Sequence, residues 1–249
     1  MKRLPTGCRT DNTKPLWLKT IFTFFANFSL LKCDMTDETK ILVIRHGETQ
    51  WNIEGRWQGH LDSPLTENGN RQAQAVANSL VELKFETLYS SDLGRALETA
   101  VYISKATGKT IIEDKRIRER GLGIFEGLTT TEMKKKYPQE FEAFMNFEKT
   151  DPDFAVEGAE SIRQRFDRNV SFFNDIAGQH PGKTVVVVCH GGVVDSLFRY
   201  VIGIPLIIPR NYKIWNSGKS LFSCFNGKWQ LQTFGDISHL SHLKTLDDV

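Results

Sequence analysis

The stretch that decides the fold is ILVIRHG at residues 41–47, read with its counterpart TVVVVCHGG at 184–192. Each is an unbroken apolar run that stops at a polar turn containing glycine. A strand with one wet face alternates apolar and polar residues. A run without alternation suits a strand covered on both faces, as in a parallel sheet with helices above and below.

Outward from these two runs, helical and extended patterns take turns. Thr66 caps a pattern that continues to about Leu83, with Ala73, Val76, Ala77, Leu80 and Leu83 on one face. Residues 85–89 read as a short strand. Asp92 is expected to cap a helix through Ala106 that Gly108 ends, and Ile111 and Ile112 mark another strand. Thr129 or Thr130 opens a helix that Pro138 breaks or restarts. Residues 160–177 are amphipathic, with Ile162, Phe166, Val170, Phe173 and Ile176 on the apolar face. A helix over 191–202 follows the second buried run. Asn226-Gly227, between residues 220–225 and 228–234, is a strong hairpin signal. Strands alternating with helices imply a single-domain α/β fold, a three-layer α/β/α arrangement with a mainly parallel sheet. Such sheets bind ligands at the carboxyl ends of their strands, where both glycine turns lie.

Composition narrows the function classes. With 249 residues, 40% of them hydrophobic and 25% charged, the chain has too much apolar content for disorder and too little for a multi-span membrane protein. Four cysteines cannot make a disulfide-rich scaffold. The net charge of +2 hides an asymmetry: six basic residues against Asp11 and Asp34 give the first 35 residues +4, which leaves −2 for the rest. A slightly acidic body argues against a nucleic-acid partner, whose footprint is a dense basic face. It is compatible with a small anionic substrate held in a locally basic pocket.

Residues 1–38 read as a leader or disordered tail, and 39–249 as the folded domain. The apolar stretch 21–31 is too short to span a bilayer but long enough for the core of a signal peptide. No small-residue cleavage site follows it. Met35, just ahead of the first strand, is an alternative start, in which case the leader is an overextended reading frame. The expected location is the cytoplasm, or a secreted or membrane-anchored one if the leader is genuine. No membrane partner is expected, and the sequence is silent on oligomeric state.

Five segments carry potential chemistry. Arg45-His46-Gly47 ends the first strand; RWQGHLDSPLT is a loop over 56–66; Ser90-Ser91-Asp92 with Arg95 opens a helix; Arg118-Glu119-Arg120 precedes Gly123; His190-Gly191-Gly192 ends the second apolar run. A neutral imidazole is a competent nucleophile toward phosphorus. Neighbouring arginines would lower its pKa and keep it neutral. The planar forks of Arg45 and Arg95 match the oxygens of a phosphoryl group in flight, and helix amino termini add backbone donors. A carboxyl is then needed to protonate the departing alkoxide, and Glu119 is the candidate. Taken singly, each residue has an ordinary structural reading. Arg45-His46 could be a strand-end turn, Arg95 a surface partner of Asp92, Glu119 a solvated charge and His190 a satisfied strand-end histidine.

In combination and in order, VIRHGETQWN, RWQGHLDSPLTENG, YSSDLGRALETA, RIRERGLGIFEG and VVVVCHGG resemble the histidine phosphatase superfamily, the phosphoglycerate-mutase-like proteins. The resemblance covers about residues 41–240. It implies that His46 becomes phosphohistidine, that Arg45, Arg95 and His190 complete the phosphate pocket, and that Glu119 is the proton donor. It further implies Asn52, Gln58, Gly59 and Gly191 as substrate-side residues. The implied activity is a phosphomonoesterase acting on small phosphorylated metabolites without metal or other cofactor.

Phosphoglycerate mutases of this group are the alternative, with a catalytically silent binding protein on the same fold behind them. The mutases hold a second anion with a Tyr, a Lys and an Arg pair. The matching positions here are Leu122 and Thr130, no Arg pair occurs in MNFEKTDPDF, and Gly192 stands where the mutases have Asn. These departures favour hydrolysis, as does the likeness of the carboxy-terminal GKWQLQTFGDISHL to broad-specificity phosphatases of the group. Four further features have bland readings. Cys189 is a core residue, Lys134-Lys135-Lys136 a solvated helix face, His239-x-x-His242 a polar tail rather than a metal site, and His60 a pocket border of open role.

Overall fold

A computed structural model describes residues 38–147 and 151–243. Residues 1–37 of the proposed leader, including Met35, lie outside the described residues.

The chain runs β1 (Thr39–Arg45), α1 (Gln50–Glu54), α2 (Glu67–Ser79), β2 (Thr87–Ser90), α3 (Gly94–Thr107), β3 (Ile111–Glu113), α4 (Thr130–Lys136), α5 (Pro138–Phe147), α6 (Ile162–Gln179), β4 (Thr184–Cys189), α7 (Gly191–Ile202), β5 (Lys219–Phe225) and β6 (Lys228–Asp236). The six strands form one sheet in the order β3-β2-β4-β1-β5-β6. β1 to β4 are parallel to one another, and the β5–β6 hairpin adds an antiparallel edge. A mainly parallel α/β sheet is therefore what the apolar runs build.

Alternate residues of each central strand feed two cores. Ile41 and Val43 of β1 join Val185 and Val187 of β4 on the face covered by α6 and α7, where Phe172, Phe173, Ile176 and Leu197 pack. Leu42, Ile44, Val186 and Val188 face α2 and α3, against Val76, Ala77, Ala96, Ala100 and Ile103. Each fully buried Val or Ile contributes roughly 1.5–3 kcal/mol relative to exposure, so neither face can be polar without large cost. A third, smaller cluster of Leu122, Phe125, Met133, Phe144 and Val156 supports the segment above the strand ends.

Three details depart from expectation. The α2 helix stops at Ser79; Leu80 is still buried, but Leu83 lies beyond the helix and is 38% exposed. Asp92 does not cap α3. The capping position is Leu93, without a side-chain bond, and Asp92 is held by Arg118 Nε and Nη2 at 2.7 and 2.5 Å. The cap comes instead from Asp62, whose carboxylate accepts from the Gly94 and Arg95 amides at 2.7 and 3.3 Å. Third, the inward stripe of α6 is not wholly apolar. Arg165 and Asn169 are buried on it, whereas Ile162, Phe166 and Val170 are half-buried.

The parallel register sets Arg45 beside Cys189. The next residues, His46 and His190, therefore leave the sheet side by side, and the His46 amide still bonds the Cys189 carbonyl at 2.9 Å.

Candidate active site

At the carboxyl ends of β1, β2 and β4 a cleft of about 520 Å³ opens. His46, Asn52, Gln58, Gly59, Arg95 and Glu119 line it. Arg45, His190 and Gly191 are fully enclosed beneath it rather than on its wall, and Gly192 stands at the wall where Gly191 was expected.

His46 is buried, and its Nδ1 lies 2.7 Å from the Gly47 carbonyl oxygen. A carbonyl only accepts, so Nδ1 carries the ring proton and Nε2 keeps its lone pair. Burial pushes the pKa of His46 well below its ordinary value, and the charges of Arg95 and Arg45 push it further the same way. The imidazole is thus neutral at neutral pH. His190 sits with its ring centroid 5.3 Å from that of His46. Its Nε2 is 2.9 Å from Ser91 Oγ, while its Nδ1 is buried without a hydrogen-bond partner. Burial, then Arg95 and His46, keep it neutral too.

Arg95 is held from three sides. Nη1 donates to Asp62 Oδ1 and the Leu61 carbonyl at 2.7 and 2.8 Å, and Nη2 donates to the Gly59 carbonyl at 2.9 Å. A side chain fixed this way loses little further entropy on meeting an anion. Arg45 donates from Nη1 to the Ile214 carbonyl at 2.5 Å. The backbone of the His46 turn is braced from the same loop, by Asn216 Nδ2 and the Ser217 amide on the His46 carbonyl at 3.2 Å each. The His239 side chain closes that brace on the Ser217 carbonyl at 3.0 Å. His239 is therefore a structural residue rather than part of a polar tail, and His242 is exposed. Among the described residues no three His, Cys, Asp or Glu side chains converge as a metal site.

Glu119 sits over the amino terminus of α7. Its Oε2 accepts from the Gly192 amide at 2.9 Å and its Oε1 from the Arg120 amide at 2.8 Å. A Cβ on residue 192 would lie 2.2 Å from Oε1, so only glycine leaves room for the carboxylate there. Burial pushes the carboxyl pKa up. Arg165, the two amides and Arg95 together outweigh burial, and the net shift is downward. Glu119 is therefore a carboxylate at neutral pH.

Asn52 is committed to the capping box of α1, and its Oδ1 also accepts from Asn216 Nδ2 at 3.4 Å. Gln58 donates to Thr49 Oγ1 at 2.8 Å, leaving its Oε1 buried and unpartnered. His60 is exposed at the rim, with Nε2 on the Glu119 carbonyl at 2.9 Å.

Sequence reading missed a second tier. Arg165, Asp195, Arg199, Trp51, Trp57 and residues 206–210 line the upper cleft. Asp195 takes Arg199 Nε on both oxygens at 3.0 Å, Tyr212 at 2.6 Å and Arg165 Nη2 at 3.4 Å. Arg199 also ties down the following loop through the Pro205 and Ile208 carbonyls, at 2.9 and 2.8 Å. One signal was available: Arg165 and Asn169 interrupt an otherwise apolar helical stripe four residues apart.

Comparison with known proteins identifies the family. The model of the histidine phosphatase superfamily (branch 1) matches residues 41–237. Phosphoglycerate mutase-like protein 4 of Arabidopsis thaliana is 42% identical over 207 residues, 82% of this chain and 88% of the relative. The metal-independent phosphoserine phosphatase of the same plant is 35% identical over 209 residues, covering 83% and 85%. Among solved structures, a phosphoserine phosphatase mutant from Entamoeba histolytica in complex with phosphoserine has a TM-score of 0.71 at 30% identity, over 81% of this chain and 99% of that one.

Proposed function

The chain belongs to the histidine phosphatase superfamily, and we propose that it hydrolyses phosphomonoesters of small metabolites by passing the phosphoryl group through Nε2 of His46. The observation that carries the reading is the fixed tautomer of His46. Its proton is tied to the Gly47 carbonyl, so an uncharged nitrogen with a free lone pair faces a cleft that Arg95 also lines.

Nε2 attacks phosphorus, and the bond to the ester oxygen breaks as the nitrogen–phosphorus bond forms. Charge on the phosphoryl oxygens is met by Arg95 and by His190. When the Ser91 hydroxyl donates to Nε2 of His190, the ring proton rests on Nδ1, a donor with no other use. Glu119 hands a proton to the leaving alkoxide. Its neighbours favour the ionised form, but a phosphate dianion beside it offsets the arginines and favours its protonated form. In the second step water attacks the phosphohistidine, Glu119 takes the water's proton, and inorganic phosphate leaves with His46 neutral again.

Hydrolysis is supported over retention of a doubly phosphorylated intermediate. The residue matching the mutases' phenol is Leu122, whose isobutyl group lines the cleft, and Thr130 opens α4 away from it. The relatives whose names specify phosphoserine phosphatases point the same way. His46→Ala is expected to lower turnover of an aryl phosphate by at least about 10⁴-fold. Acid quench of the wild type during turnover of ³²P-labelled substrate is expected to trap acid-labile label, and chelator is expected to change nothing. Undiminished turnover in the His46 variant removes the mechanism.

A further inference from the structure

Above the phosphoryl site, one cation is placed as if to receive something. Arg165 projects from α6 into the cleft and is only 9% exposed. Its Nη1 stands 4.0 Å from Glu119 Oε1, and its Nη2 is 3.4 Å from Asp195 Oδ2. Both contacts are at the long end for charge-assisted bonds, whose usual span is about 2.7–2.9 Å. Its Nε is buried with no hydrogen-bond partner. Unsatisfied buried donors are uncommon in folded proteins, and in a cleft wall they mark where a ligand's acceptor belongs. Asp195 also accepts from Arg199 and Tyr212, which share its charge with Arg165. A Cβ on Gly192 would be 2.5 Å from Arg165 Nη1 and 2.2 Å from Glu119 Oε1. The guanidinium, the carboxylate and the α7 amino terminus therefore meet at one point, where the leaving-group oxygen must lie to be protonated.

We infer that Arg165 selects the leaving group: it receives a carboxylate carried by the alcohol two or three bonds from the ester oxygen, and in doing so turns away from Glu119. The substrate class is a phosphorylated hydroxy acid or amino acid. A planar guanidinium suits a planar carboxylate. The same contact couples binding to chemistry. Once Arg165 is neutralised by the substrate, the largest of the contributions that hold Glu119 ionised is removed, and the carboxyl more readily bears the proton that an alkoxide needs. No new bond is required; the proton moves from Glu119 to the ester oxygen as the phosphorus–oxygen bond breaks. The inference rests on the phosphatase reading above.

The experiment compares O-phospho-L-serine with O-phosphoethanolamine, which differ by the carboxylate alone, in the wild-type full chain and in Arg165→Met and Arg165→Lys. The wild type is expected to prefer phosphoserine at least tenfold in kcat/KM. Arg165→Met is expected to collapse that ratio to near one, and Arg165→Lys to restore part of it. A general loss of folding or activity lowers both rates and leaves the ratio intact, so an unchanged ratio in the Met variant overturns the inference. So does a wild type that fails to discriminate while still forming phosphohistidine from p-nitrophenyl phosphate. If no phosphohistidine forms from any of the three substrates, the phosphatase reading itself has failed.

Discussion

The floor and the wall of this cleft are built on different principles. The floor consists of His46, His190 and Arg95, set at the ends of parallel strands and the start of α3 and locked by short bonds of 2.7–2.9 Å. The wall consists of Glu119, Arg165, Asp195 and Arg199, contributed by a loop and two helices, with some contacts as long as 3.4–4.0 Å. A rigid floor fits a group that is the same in every substrate, the phosphoryl. A looser wall fits the part that varies, the alcohol. Changes in the floor should therefore harm all substrates alike, and changes in the wall should sort them.

The sharpest way to separate the two is Glu119→Gln. Alkyl phosphates have poor leaving groups and need the proton, so kcat is expected to fall about 10²–10⁴-fold on them. On p-nitrophenyl phosphate, whose leaving group departs as an anion, the loss is expected to stay within about tenfold. Equal losses would place Glu119 in the floor and remove its role as acid. Next in size is Asp62→Ala, which loosens the floor indirectly by releasing Arg95 and the α3 amino terminus. It is expected to cost about 1–2 kcal/mol of stability through the lost cap. It should also lower kcat/KM about 10–100-fold, on alkyl and aryl phosphates equally. A substrate-selective loss would contradict the division drawn here.

How much of this was legible follows the same line. The floor could be read because each of its residues is fixed by local sequence: an apolar run, a glycine turn, a helix start. Of the wall, Glu119 alone was legible; Arg165 and Asp195 belong to helices whose pattern advertises packing, and only the fold brings them to Glu119. Asp92 shows the limit of local reasoning even in the floor. It has the right chemistry and place to cap α3, yet Arg118 claims it, and Asp62, from thirty-odd residues earlier, caps instead. Likewise His239 looked like part of a polar tail, because nothing near it in sequence announces the Ser217 carbonyl it binds.

The smallest expected effect is on stability against pH. His46 and His190 are held neutral by burial and nearby arginines, and burial with Lys219 nearby brings His239 down to about 4. In the unfolded chain all three take up protons near pH 6.5. Between that pH and their folded values the unfolded state binds more protons, so stability falls as pH falls from about 7 toward 4. Denaturant midpoints across that range are expected to decline, and less steeply in His239→Asn. An unchanged slope in that variant would assign the whole acid response to groups other than His239.

The strand order has a consequence for how the site comes into being. β1, which ends at the nucleophile, is paired only with β4 and β5, some 140 to 180 residues further along the chain. During synthesis His46 thus precedes by well over a hundred residues the strands that will enclose it. Long-range closure of this kind is slow. It also means that a nascent or truncated chain carries an ordinary histidine rather than a phosphate-seizing one, so reactivity is switched on by completion of the sheet itself.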